Sequence, residues 1–128
     1  MGSAASGATV LIVDDQRVVL RAFARALEAV GYQTRTADNA EAALESVHTD
    51  PPDAILLDMM MPFVNGMGLL YRLREIAPQI PVAFVTGNAL TDENRSDLDE
   101  LGVPVYFKPL TPEQIEDVVR KLIASRQA

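Results

Sequence analysis

Cysteine is absent from all 128 residues, which excludes disulfide staples and thiolate-bound metal. Histidine occurs once, at His48. Without an orienting partner it reads as a helix C-terminal cation or an exposed side chain rather than a general base. Positive charge is scarce: 11 Lys and Arg stand against 18 Asp and Glu, and the net charge of −7 argues against a dedicated nucleic-acid binder. No apolar run approaches the ~20 residues that span a bilayer, and no apolar h-region marks a signal peptide. The expectation is therefore a cytoplasmic protein without direct nucleic-acid or membrane contact. Internal repeats and low-complexity stretches are missing beyond residue 8. Met1–Gly2–Ser3–Ala4–Ala5–Ser6 formally fits an N-myristoylation pattern, but it reads more simply as a disordered leader or cloning remnant. The expected organisation is a leader over residues 1–8 and one domain over 9–126, long enough to bury a core.

What the chain does have is a regular succession of short apolar runs, each stopped by polar residues. Ala54–Ile55–Leu56–Leu57 is a buried strand that ends on Asp58, followed by Met59–Met60–Met61–Pro62. Thr9–Val13 is a second such run and ends on Asp14–Asp15. Val82–Thr86 stops at Gly87–Asn88, and Val105–Phe107, with Pro104 before it, stops at Lys108–Pro109. Tyr32–Ala37 alternates weakly, as an edge strand does. The methionines read as packing filler, because no other soft ligand accompanies them.

Helical spacing fills the intervals. Residues 16–30 put Val19, Phe23, Ala26, Leu27 and Val30 on one face, and Gly31 is a natural stop. Asp38, with Glu41 three residues on, reads as the capping box of a helix running to His48 that buries Ala40, Ala43, Leu44 and Val47. Asn65–Gly66 reads as a turn, before a helix with Leu69, Leu70, Leu73 and Ile76 inside. A polar helix from Thr91 has Leu98 and Leu101 as its anchors, and Gly102 ends it. Thr111, Pro112 and Gln114 form an N-cap, N1 and N3 set for a last helix that buries Ile115, Val118, Val119, Leu122 and Ile123. Five strands alternating with five helices give an α/β fold: a doubly wound parallel five-stranded sheet of flavodoxin-like (βα)5 type, in strand order 2-1-3-4-5.

In that order the strand ends gather Asp14–Asp15, Asp58, Thr86 and Lys108 at one edge of the sheet. Lys108 stands two strands from Asp58, roughly 10 Å away at ~4.8 Å per strand, within reach of a long stem. Three clustered carboxylates repel one another. A hard divalent cation such as Mg²⁺ relieves that repulsion and engages phosphate oxygens. Asp58 then stays ionised and can attack phosphorus, while Lys108 and the Thr86 hydroxyl meet oxygens of the transferred group. Taken singly, each residue has a plainer reading: the Asp pair as an N-cap with a first-turn acid, Thr86 as turn chemistry, Lys108 as a solvated strand-end charge.

As a set, Val10–Leu11–Ile12–Val13–Asp14–Asp15, Ile55–Leu56–Leu57–Asp58–Met59–Met60–Met61–Pro62 with Asn65–Gly66, Val85–Thr86–Gly87 and Lys108–Pro109 resemble the receiver domain of two-component response regulators over residues 9–124. The resemblance implies that Asp58 accepts phosphate from a sensor histidine kinase or a histidine phosphotransfer protein. It implies Mg²⁺ held by Asp14, Asp15, Asp58 and the backbone carbonyl of Met60, and a cis peptide between Lys108 and Pro109. It further implies output to a downstream protein through the face of the fourth helix, fifth strand and fifth helix, or through a phosphorylation-dependent homodimer, in a switch rather than a turnover enzyme. Met60 and Asn88 fall where the family tunes acyl-phosphate lifetime.

The chain departs from the family at one coupling position. An aromatic residue usually stands three before the lysine. That position is Val105, and a one-residue shift puts Tyr106 on the other sheet face. The stretch Pro81–Gly87 is more similar to a receiver subgroup with Phe-Ala-Thr-Gly, which also lacks that aromatic. Three other readings use the same strand-end residues or the same fold. A Mg²⁺-dependent phosphatase would carry an acid where Met60 stands. A flavin-binding module would cradle phosphate where the Asp pair repels it. A phosphorylation-independent receiver-like binding module would have no use for the acid set.

Overall fold

Thr9–Val13, Ala54–Leu57 and Val82–Thr86 are rich in β-branched and aliphatic residues and bury both faces, so they form the middle of a parallel sheet. The computed structural model describes residues 7–61, 64–87 and 89–127. It contains β1 (Thr9–Val13), α1 (Arg17–Glu28), β2 (Gln33–Ala37), α2 (Ala40–Thr49), β3 (Ala54–Leu57), β4 (Met60–Met61), β5 (Val64–Asn65), α3 (Gly66–Ile76), β6 (Val82–Thr86), α4 (Asp92–Leu101), β7 (Val105–Phe107) and α5 (Pro112–Gln127). β1, β2, β3, β6 and β7 form one parallel sheet in the order β2-β1-β3-β6-β7. Counting only these strands, the order is the expected 2-1-3-4-5, with β2 and β7 at the edges.

Alternation along the strands divides the core in two. Leu11, Val13, Ile55, Leu57, Val82 and Phe84 pack with residues of α2, α3 and α4. Val10, Ile12, Leu56, Ala83 and Val85 pack with α1 and α5. The central strand β3 is buried at all four positions, and each large aliphatic side chain taken fully from water contributes about 1.5–3 kcal/mol. Among the described residues no helix is long and apolar enough to cross a membrane.

Several local expectations are corrected. The N-cap of α2 is Asn39, whose side chain accepts from the Ala42 N–H at 2.8 Å, and Ala42, not Glu41, takes the third helical position. Asp38 instead accepts from the Asn39 side-chain amide at 2.8 Å. Leu20, outside the expected α1 stripe, is buried, while Val19, Ala26 and Val30 are only partly covered. Ile76 was expected inside but is 48% exposed, whereas Met67 is buried. Asn65–Gly66 is not a free turn. Asn65 ends β5, which pairs antiparallel with β4, and its side chain caps α3 by accepting from the Met67 N–H at 2.9 Å.

Other local signals hold. Thr111 and Gln114 exchange the reciprocal bonds of a capping box, at 2.8 and 3.1 Å. Gly102 ends α4 with φ +69°, a conformation that glycine adopts without steric cost. His48 lies exposed in the last turn of α2. Met59 and Met61 are buried as packing residues. The expected leader residues 1–6, together with Pro62 and Asn88, lie outside the described residues.

Candidate functional site

The strands of a parallel sheet end together, so their last ladder bonds decide which side chains meet. The Asp14 N–H donates to the Ala37 carbonyl at 3.1 Å and the Asp58 N–H to the Val13 carbonyl at 2.9 Å. The Lys108 N–H donates to the Thr86 carbonyl at 2.9 Å. Beyond these bonds the backbone leaves the sheet and the side chains cluster. One carboxylate oxygen from each of Asp14, Asp15 and Asp58 lies within 4.8 Å of the others. Asp14 and Asp58 are buried, and Asp15 is the member open to solvent.

The Lys108 ammonium reaches into this cluster, 2.6 Å from Asp14 and 3.8 Å from Asp58. At an effective dielectric near 20, an opposite-charge pair at ~4 Å gains about 4 kcal/mol, comparable with the several kcal/mol that burying an ion costs. The peptide between Lys108 and Pro109 is cis, as the resemblance implies. One ammonium against three carboxylates leaves an excess of negative charge. That all-oxygen donor set suits a hard divalent cation and offers nothing to a soft one.

Asp14 has a second role that the spacing alone did not reveal. Its other oxygen accepts from the Gln16 N–H at 2.9 Å, which fixes the entry to α1. Gln16 is the N-cap of α1 and makes no side-chain cap bond, and no acid lies in the first helical turn. The plain reading of Asp14–Asp15 as a cap plus a first-turn acid is thus replaced by a carboxylate shared between a local turn and Lys108.

Thr86 is fully buried at the end of β6 and pairs in register with Phe107. Val105 packs on the α2–α4 side of the sheet and Tyr106 on the α1–α5 side, so the two lie on opposite faces as expected. Phe107 shares the parity of Val105 and is 46% exposed beside the threonine strand.

Gly66 is the residue behind the site that sequence reading took for a turn. Its N–H donates to the Met59 carbonyl at 3.1 Å. A Cβ there would fall 2.6 Å from the same oxygen, so only glycine lets α3 start this close to the residue after Asp58. A glycine directly after an Asn cap is the signal that points to this. Met60, two residues past Asp58, opens β4.

The family model described as the response regulator receiver domain matches residues 10–120. The probable transcriptional regulatory protein TcrX of Mycobacterium tuberculosis is 32% identical over 116 residues, covering 91% of this chain and 48% of that protein. The response regulator MprA of Mycobacterium leprae is 32% identical over 114 residues, covering 89% of this chain and 50% of that one. The chain therefore spans about half the length of these relatives. Among solved structures, a CheY-like response regulator receiver domain protein from Methanospirillum hungatei superposes with a TM-score of 0.87 at 25% identity, covering 94% of this chain and 96% of that one. The N-terminal domain of a response regulator receiver protein from Methanoculleus marisnigri gives 0.74 at 33% identity, covering 93% and 98%.

Proposed function

The chain belongs to the response regulator receiver domain family of two-component signalling, and from that membership we propose that Asp58 is its phosphoacceptor. The observation that carries this is the clustering of Asp14, Asp15 and Asp58 at the strand ends with Lys108 among them. The phosphoryl donor is a phosphohistidine on a sensor histidine kinase or a histidine phosphotransfer protein. An Asp58 carboxylate oxygen forms the new P–O bond, the P–N bond to the donor imidazole breaks, and the imidazole nitrogen keeps the electron pair and later takes up a proton.

Asp14 and Asp15 would hold Mg²⁺ together with Asp58 and the backbone carbonyl of Met60, where it would supply positive charge to the transferred oxygens. Lys108 gives up part of its contact with Asp14 to meet another of those oxygens, and Thr86 at the neighbouring strand end donates its hydroxyl to a third. The chemistry is self-catalysed transfer and hydrolysis rather than turnover, since no general acid or base stands where the metal-dependent phosphatases carry one.

Phosphorylation adds charge and acceptor oxygens at Asp58, and the response passes to the face formed by α4, β7 and α5. α4 is a candidate moving part because Leu98 is its one fully buried side chain. Output runs through a downstream protein or a phosphorylation-dependent homodimer on that face, in the cytoplasm, without direct nucleic-acid contact. The unit that does this is the domain over residues 9–126.

Intact mass after incubation with Mg²⁺ and acetyl phosphate tests the reading. A single phosphoryl adduct that requires Mg²⁺ and is lost in Asp58→Asn supports it. Sustained release of inorganic phosphate without an adduct would move the chain to the phosphatase class. Neither adduct nor release, with its cognate kinase also inactive, would leave a phosphorylation-independent binding module.

A further inference from the structure

The edge strand β2 carries a second feature, remote in kind from the strand-end chemistry. In a parallel ladder the N–H and C=O of one residue face the same neighbour, and successive residues alternate. The Gln33 N–H donates to the Ala8 carbonyl, and the Ala37 carbonyl accepts from the Asp14 N–H. Gln33, Arg35 and Ala37 therefore face β1, and Thr34 and Thr36 turn their backbone N–H and C=O to the open side. The register with β1 runs without a bulge from Gln33 to Ala37, and the strand holds neither proline nor glycine. Among the described residues no further strand pairs with it. Of the usual ways of closing an edge, charge is the one present.

Positive charge is in excess there. A cavity of about 740 Å³ wraps the edge, with Arg17 and Arg21 of α1 on one side and Arg35 on the other. Two acids also line it and keep their charge, Glu28 accepting from the Thr34 hydroxyl and Asp38 from the Asn39 amide at 2.8 Å, so three arginines stand against two carboxylates. Arg35 is held in place by the Ser46 hydroxyl at 3.0 Å and by the Asp50 carbonyl, and its Nε is buried without a hydrogen-bond partner. So a chain of net charge −7 sets an excess of arginine around the β2 edge of its sheet.

We infer that the β2 edge is a docking site for an extended, acidic segment of a partner protein, which adds as a sixth strand through Thr34 and Thr36 and sets its carboxylates against Arg17, Arg21 and Arg35. Strand addition supplies main-chain bonds for affinity, and the flanking arginines supply selectivity. A second copy of this chain is disfavoured at the same place, because two β2 edges side by side bring two sets of arginines together. Nucleic acid gains nothing from the backbone edge, which an extended peptide alone can pair with. The inference does not depend on phosphorylation of Asp58.

The test uses the full chain, isotope-labelled, with a short synthetic peptide alternating Glu and Val and its Lys–Val counterpart. The expected result is slowed amide hydrogen exchange at Thr34 and Thr36 with the acidic peptide only. Binding should weaken by about tenfold or more in the Arg17→Glu, Arg21→Glu double variant. Both arginines are exposed, and circular dichroism verifies folding; an Arg17→Gln, Arg21→Gln pair, which should weaken binding less, serves if the reversal unfolds the chain. Unchanged exchange at Thr34 and Thr36, equal binding of the Lys–Val peptide, or protection that rises with protein concentration alone would each overturn the inference.

Discussion

The Lys108 ammonium lies closer to Asp14, at 2.6 Å, than to Asp58, at 3.8 Å, although Asp58 is on the nearer strand. The lysine thus reaches across the sheet and neutralises the acid next to the proposed acceptor more closely than the acceptor itself. In the proposed transfer, an incoming phosphoryl group would compete with Asp14 for this ammonium, and a divalent cation held by the acids would supply the positive charge that Asp14 gives up.

Lys108→Met removes the ammonium from two buried carboxylates at once. The expected loss is about 3 kcal/mol at neutral pH, the low end for breaking a buried pair because Lys108 is partly exposed. Urea unfolding measures it. Millimolar Mg²⁺ should narrow the gap to the wild type, because the ion supplies the missing positive charge. An equal gap with and without Mg²⁺ would show that the three acids do not share a cation.

Gly66→Ala would ordinarily favour a helix by roughly 1 kcal/mol. Here the added Cβ meets the Met59 carbonyl oxygen at 2.6 Å, and a forced backbone shift costs about 1–3 kcal/mol. The variant is expected to be less stable by thermal or urea unfolding, and to accept phosphate more slowly because Met59 adjoins Asp58. A stabilised variant would mean that α3 can start further from the site at no cost.

Tyr32 gives the fold an alkaline dependence. Burial raises its phenol above the ordinary value, the Glu116 carboxylate adds to the rise, and Arg120 opposes it. With the folded value raised, the contribution to stability is complete below the unfolded pKa of about 10 and is lost as pH climbs through the folded value. Urea midpoints should therefore fall more steeply above pH ~10 in the wild type than in Tyr32→Phe. Parallel curves would remove the phenol as the cause.

The strands and their order were legible in the sequence because each buried run stops at a polar residue, and strict alternation with helices leaves few topologies. The same stops placed Asp14, Asp58, Thr86 and Lys108 at strand ends. What was not legible depends on tertiary contact or on fine register. Asp38 and Asn39 both have cap chemistry, and only the backbone decides between them. The stripes that took Ile76 as buried and omitted Leu20 and Met67 were drawn from spacing, while burial follows which helix lies opposite. Two-residue strands such as β4 and β5 are too short to show a period. The bond from Lys108 to Asp14 joins residues 94 apart in sequence, and nothing in local pattern encodes it.

The most direct test of the central claim locates the phosphoryl group. Borohydride reduces an aspartyl phosphate to homoserine, so phosphorylated protein can be reduced, digested and sequenced by mass spectrometry. The expected result is homoserine at Asp58 alone, formed only when Mg²⁺ and a phosphodonor were both present. Homoserine at Asp14 or Asp15 instead, or at no position in protein whose intact mass shows an adduct, would contradict it.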